Sequence, residues 1–305
     1  MIYIATMAKT LHVYNSINRL RERYYIASVG KQALLQLLSE AEVAEQVYNS
    51  NAIENSTLTL DETEKILLQI NLDRYITDRE IFEAKNLARV VSYINTKAKE
   101  QELTLEIILS LHKMLIANIR DDIAGRFRKD GEWVRVANHI APPPKQIEER
   151  LDKMLAAYNA DSRKNIIERM ALLHLVFEYI HPFVDGNGRI GRVVNNYLLI
   201  REGFVPVNIK FIDRKMYYEA FNEFEAKDTV KIMEEILGKA LTNSYHKRLA
   251  YLEGAQIMTL AEYAKKYKLS HSNLLNKANR QTIEAFLEKG VWKIGVIQPD
   301  AALTP

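Results

Sequence analysis

The chain has 305 residues, 48% hydrophobic and 27% charged, a balance that supports an apolar core and is long enough for two or three domains. Its formal net charge of +3 creates no strong overall field, and the absence of cysteine excludes disulfides, thiolate nucleophiles and cysteine zinc sites. No stretch reaches the roughly eighteen apolar residues of a membrane span, and the apolar start Met1-Ile-Tyr-Ile-Ala-Thr-Met is too short for an export signal. A cytoplasmic protein with no membrane partner is expected.

Eleven glycines and seven prolines punctuate the chain sparsely, and apolar residues recur at three- and four-residue spacing, which predicts a mainly α protein. Residues 1–104 read as an N-terminal helical region. Within it, Leu34 to Val47 has helical spacing, and Ser50-Asn-Ala-Ile-Glu-Asn55 completes a helix over about residues 34–55, with Asn55 suited to a left-handed stop. Ser50 and Glu54 lie one turn apart on one face. Leu105 to Ile116 is another amphipathic helix. Between Gly125 and Pro144 the pattern changes: Phe127, Trp133, Val134, Val136 and Ile140, with Gly131 and three consecutive prolines, predict a short β-hairpin at about residues 129–140. Asp161 or Ser162 can cap a helix through Ile167, Met170, Leu173, Val176 and Ile180 that ends at His181. A following helix should run from about Gly188 to Arg201 and close at Glu202-Gly203. Asp213 and Asp228 are candidate caps for two helices within residues 206–254.

After Glu253-Gly254 the organisation shifts. Thr259-Leu-Ala-Glu262 is a capping box, Ser270 can cap a second short helix, and Thr282 to Ile294 reads as two strands turning at Lys289-Gly290. Helix, helix and hairpin in that order predict a winged helix-turn-helix-like domain over residues 255–305, with Asp300 to Pro305 loose.

The most informative run is His181-Pro-Phe-Val-Asp-Gly-Asn-Gly-Arg-Ile-Gly-Arg192. A helix starting here exposes unpaired N–H groups and a positive dipole end, and Gly186 and Gly188 let an anion approach the backbone. Arg189 and Arg192, three apart, can grip further phosphate oxygens. Asp185 is placed to hold a Mg²⁺ that bridges the same phosphates. His181, with an ordinary pKa near 6.5, can accept a proton from a hydroxyl at neutral pH. Lone histidines among apolar residues, His112 and His174, read as satisfied core residues.

This run matches the pattern HPFx(D/E)GN(G)RxxR and resembles the active-site motif of Fic-domain proteins. Leu111-His-Lys-Met-Leu115, Ala124-Gly-Arg-Phe-Arg128, the prolines 142–144 and Leu172 to Ile180 extend the resemblance over about residues 105–205. It implies a Fic-type helical bundle with a β-hairpin flap as the catalytic core. The implied reaction is transfer of AMP from ATP to a Ser, Thr or Tyr hydroxyl of a protein target or of the chain itself, with Mg²⁺ or Mn²⁺ as cofactor. The implied roles are His181 as base, Asp185 as metal ligand, Gly186 to Gly188 as phosphate cradle, Asn187 as the residue fixing that turn, and Arg189 and Arg192 on the β and γ phosphates. Related kinases carry Lys at the position of Gly188, so Gly188 favours AMP transfer over phosphorylation. The flap is the expected docking place for a target segment by strand addition, although Trp133 could equally be a buried anchor. A homodimer accords with the resemblance.

Ser50 to Asn55 fits (S/T)xxxE(G/N) and resembles the inhibitory helix of many Fic proteins, which would set Glu54 against Arg192. Three functional readings stand side by side: an autoinhibited AMP transferase, removal of AMP by the same residues, and a DNA-binding regulator acting through residues 255–305. The last rests on a local basic excess, with Lys265, Lys266, Lys268, Lys277, Arg280, Lys289 and Lys293 against Glu262, Glu284, Glu288 and Asp300. The same module could instead dock protein.

Overall fold

The computed structural model of the protein describes residues 2–136, 139–160 and 164–297. Its elements in chain order are α1 (Ile2–Ser28), α2 (Gln32–Ile53), α3 (Leu60–Leu67), α4 (Asp78–Lys97), α5 (Leu105–Ile116), β1 (Arg135–Val136), β2 (His139–Ile140), α6 (Ile147–Ala160), α7 (Ile166–Ile180), α8 (Asn187–Arg201), α9 (Arg214–Lys227), α10 (Lys231–Leu252), β3 (Gln256–Thr259), α11 (Leu260–Tyr267), α12 (His271–Asn279), β4 (Ala285–Glu288) and β5 (Val291–Val296). The protein is predominantly helical, as the spacing of apolar residues predicted, with two small antiparallel sheets.

Local chemistry starts half of these helices. Thr59, Thr77, Thr104, Thr259 and Ser270 each accept the backbone N–H three residues on, and Thr59 and Thr259 complete capping boxes with Glu62 and Glu262. The cap of α7 differs from expectation. Asn165, not Asp161 or Ser162, accepts from Glu168 N at 2.9 Å. The Asn165 carboxamide stands directly before the first helical residue, and Asp161 and Ser162 lie outside the described residues. Asp213 precedes α9 without a side-chain cap bond, while Asp228 sits at φ 50° as the left-handed stop of α9 rather than the cap of α10. Asn55, at φ 68°, ends the turn after α2 as its chemistry suggested.

Two compact units form: one of residues 42–237, the other of the described parts of 1–41 and 238–305. In the first, α8 is the spine. Nearly all of its residues are buried, including Arg189, Arg192, Asn195 and Asn196, because α4, α5 and α7 all pack against it. A helix so enclosed carries its N-terminal turn into the interior of the unit. The hairpin is short, pairing Arg135 with Ile140 and Val136 with His139; its turn at residues 137–138 lies outside the described residues. Trp133 is 63% exposed, which overturns the reading of a buried anchor.

In the second unit, β3, β5 and β4 form an antiparallel sheet in that order. The reversal between β4 and β5 uses Lys289 at φ 50° and Gly290 at φ 77°, both left-handed as the two central residues of a type I′ turn require. The leading strand β3 was not anticipated: Gln256-Ile-Met-Thr259 is too short for its alternation to be read without its partner β5. Leu260, Ala264, Leu274, Ala278, Ala285 and Ile294 make a separate apolar core for this module. Residues 300–305 lie outside the described residues.

Candidate functional site

Helix α7 ends where His181 enters the left-handed region, at φ 48° and ψ 61°. That turn is held from outside the motif. Arg128, only 3% exposed, donates to the carbonyls of His181 (2.7 Å), Glu132 (3.0 Å), Pro142 (3.0 Å) and Ile180 (3.3 Å), so one planar guanidinium ties the flap base to the end of α7. Asn187 closes the loop in the other direction. Its Oδ1 accepts from Phe183 N and its Nδ2 donates to Phe183 O, both at 2.8 Å. Gly186 caps α8 at φ 86°, and a Cβ there would lie 3.2 Å from Leu115 and Ile116 side-chain carbons, so only glycine fits the turn without strain.

His112 braces this loop from beneath. Gly125 N–H donates to its Nδ1 at 3.1 Å, which leaves Nε2 as the donor to Asp185 O at 3.0 Å. Its ring stacks on Phe183 at 3.7 Å. His174 contacts the Tyr217 hydroxyl at 2.7 Å. Both are buried core residues with partners, as expected from their apolar settings.

Around His181 the geometry is specific. His181 Nδ1 donates to Glu178 O at 3.2 Å, so Nε2 is the nitrogen left to accept a proton. Burial pushes the His181 pKa down to about 4, so the ring is neutral at pH 7. Glu178 Oε2 lies 3.6 Å from the same Nδ1. Burial first, and then the charge of Glu54, push the Glu178 carboxyl up to about 8 despite the nearby Arg192.

Asp185 and Arg189 sit in a closed ring of charges. Asp185 Oδ1 meets Arg189 Nη2 at 3.1 Å and its Oδ2 meets Arg79 Nη2 at 2.8 Å. Glu83 joins Arg189 (3.1 Å) and Arg79 (3.2 Å) on the other side. Burial works to raise the Asp185 pKa, but Arg189 and Arg79 outweigh it and hold the carboxylate ionised.

Arg192 is fully engaged. Its Nε donates to Ser50 Oγ (3.0 Å), its Nη1 to the Tyr217 hydroxyl (3.0 Å), and its Nη2 to Ser50 O (2.8 Å) and Glu54 Oε1 (2.9 Å). The Glu54 carboxylate lies directly against Gly188, where any Cβ would collide with it. Ser50, Glu54, Asp185, Gly186, Asn187, Gly188, Arg189, Arg192 and His181 thus converge at the start of α8. All but Ser50 and Arg192 line one cavity of about 670 Å³, a volume in the range of small-molecule sites. Arg79, Glu83, Arg128, Glu178 and Tyr217 also belong here. Arg79, Glu83 and Tyr217 reach the motif from distant elements and carry no local sequence signal. Arg128 and Glu178 stood in segments singled out from sequence, Ala124 to Arg128 and Leu172 to Ile180, without being singled out themselves.

Three buried histidines bear on pH. Burial lowers His112 and His181 to about 4 and His174 to about 3, from 6.5 when solvated. The unfolded chain therefore takes up more protons, and this stability is complete above pH 6.5 and is lost as pH falls toward 4. The slope is about 4 kcal/mol per pH unit where all three are charged in the unfolded chain and neutral in the folded one. Urea melts at pH 7, 6 and 5 should show midpoints falling in that order; a midpoint unchanged down to pH 5 would contradict it.

Residues 102–199 match the family model described as "Fic/DOC family". The "Protein adenylyltransferase Fic" of Nematostella vectensis is 32% identical over 220 residues, covering 68% of this chain and 49% of that protein. The chain thus spans about half the length of the curated relatives it matches. Two solved structures share the fold at 23% identity. One is a Fic domain-containing signaling protein from Bacteroides thetaiotaomicron (TM-score 0.70, 78% of this chain and 97% of the other). The other is Fic-1 from C. elegans (TM-score 0.71, 81% and 74%). Within the described residues no helix is long and apolar enough to cross a membrane. The motif at the start of α8, the family match around it and the shared fold agree: residues 102–199 are a Fic/DOC-family domain.

Proposed function

We propose that the protein is an adenylyltransferase that moves AMP from ATP to a protein hydroxyl and is held off at rest by Glu54. The observation that carries the reading is the convergence of a neutral, partly exposed imidazole with the glycine-lined start of α8 in one cavity. In the reaction, the target hydroxyl gives its proton to His181 Nε2 while its oxygen attacks the α-phosphorus. The bond from that phosphorus to the oxygen bridging to the β-phosphate breaks, and pyrophosphate leaves. The N–H groups of the first turn of α8, with Arg189 and Arg192, stabilise the charge on the departing phosphates.

Residues present fit a magnesium ion of one kind. Among the described residues no three carboxylates or histidines cluster to form a protein cage, but Asp185 is ionised at the cavity edge, and Mg²⁺ commonly takes one or two carboxylates with the substrate's own phosphate oxygens. When bound, such an ion neutralises phosphate charge. Asp185 would hold it after exchanging its contacts with Arg79 and Arg189.

Gly188 supports AMP transfer over phosphoryl transfer, since no side chain at that position restricts how the triphosphate lies. Trp133 and Ile140, both 63% exposed at the hairpin, support docking of a target segment there. Incubation with Mg²⁺ and ATP labelled at either the α or the γ position tests the reaction. Label retained on protein from α-labelled ATP alone is expected; retention from γ-labelled ATP alone would replace the assignment with a kinase. Release of AMP from premodified protein without ATP would mark the reverse chemistry.

A further inference from the structure

We propose that residues 256–297 are a double-stranded DNA-binding module that inserts α12 into the major groove. The module has the parts that such docking needs. Helices α11 and α12 are joined by the three residues 268–270, with Lys268 at φ 54° stopping the first and Ser270 capping the second. A helix-turn-helix with this short connection presents its second helix to the groove. The β4–β5 hairpin forms the wing beside it.

The face that α12 offers is specific in composition. Leu274 and Ala278 bury its inner side in the module's own core. The exposed positions are His271, Ser272, Asn273, Asn276, Lys277, Asn279 and, one residue beyond, Arg280. None is apolar, whereas a protein-docking face needs aromatic or aliphatic anchors at its centre. Carboxamides and a guanidinium are the side chains that pair with adenine N6 and N7 and with guanine O6 and N7. Nor does the face carry the aromatic platform on which single strands stack.

Charge is segregated in the same place. Residues 263–283 hold Lys265, Lys266, Lys268, Lys277 and Arg280 and no Asp or Glu, a local +5 in a chain whose total is +3. The other residues therefore sum to −2. The nearest carboxylates are already occupied: Glu262 by the Thr259 backbone N–H (2.8 Å), Glu284 by Arg23 (2.6 Å), and Glu288 by Lys247 (2.6 Å) and Lys293 (2.7 Å). None of the five cations has a carboxylate partner among the described residues, and Lys266 lies over the Tyr267 ring. A fold that pairs its acids and leaves a stripe of bases uncompensated is complementary to phosphate. Lys265, Lys266 and Lys268 on α11 would contact the backbone and set the register, while Asn273, Asn276 and Arg280 would meet base edges.

The test uses the full chain and a fluorescently labelled mixed-sequence duplex of about 20 base pairs, followed by anisotropy over a salt series. Duplex binding is expected with a slope of log K against log salt of about −3 to −5, for four or five phosphates neutralised. The single strand should bind at least tenfold more weakly. Lys277→Ala with Arg280→Ala should reduce affinity at least tenfold at unchanged thermal midpoint, while Lys99→Ala with Lys153→Ala, which removes two exposed lysines elsewhere, should leave it unchanged. Failure to bind duplex at low salt, or equal loss in the two double variants, would overturn the proposal. So would preference for an acidic polypeptide such as polyglutamate over duplex, which would make the module a protein-docking surface.

Discussion

Glu54→Gly is expected to raise incorporation of label from α-labelled ATP by roughly 30- to 100-fold. In the structure Glu54 does two things at once: it occupies the start of α8 against Gly188 and it takes one of the terminal nitrogens of Arg192. On the proposed reading the triphosphate needs both. Truncating one partner of a buried ion pair costs about 3–5 kcal/mol, but the Glu54 side chain is 34% exposed, so about 2–3 kcal/mol of competition is the better measure. Each 1.4 kcal/mol is about tenfold in nucleotide occupancy. Ser50→Ala should act in the same direction and more weakly, because the Ser50 carbonyl still holds Arg192. Filter-binding of ATP and label incorporation should rise together in Glu54→Gly. Equal incorporation by wild type and Glu54→Gly would remove the inhibitory assignment while leaving the chemistry intact.

The second large effect is loss of transfer on removing the base. His181→Asn in the Glu54→Gly background is expected to lower kcat by about 10³-fold, within the range of a positioned general base, with little change in the KM for ATP. Asn is the better test because position 181 has φ 48°, a left-handed backbone that Asn tolerates and Ala does not. His181→Ala should abolish transfer too, with a lower thermal midpoint beside it. A base held neutral by burial, with its pKa down at about 4, also predicts activity that is not lost between pH 8 and 6 through protonation of this ring. An unchanged kcat in His181→Asn would exclude His181 as the proton acceptor.

Much of the site was legible because it is local. From His181 to Arg192 the imidazole, the turn and both guanidiniums lie within four helical turns, and short-range geometry alone brings them together. The caps Thr259 and Ser270 and the turn Lys289-Gly290 were legible for the same reason: a side chain that bonds a backbone group three residues away needs no tertiary information. Ser50 and Glu54 were readable as a pair on one helical face. Trp133 was not assignable, since its exposure depends on what packs above the hairpin. Strand β3 went unseen because four residues acquire strand character only when β5 lies alongside.

By itself, then, the sequence determined a mainly helical chain, the glycine-lined turn that follows His181 at the start of α8, and a winged module with a carboxylate-free second helix, all features set by periodicity and by neighbours within a few residues. Tertiary structure alone decided the state of that site. It brought Glu54 across 138 positions to Arg192, closed Arg79 and Glu83 into a ring with Asp185 and Arg189, and buried Glu178 beside His181. The reason is physical: whether a guanidinium is free or neutralised, and whether a carboxyl or an imidazole is charged, depends on burial and on charges within a few ångströms, and those arrive from helices far apart in the chain.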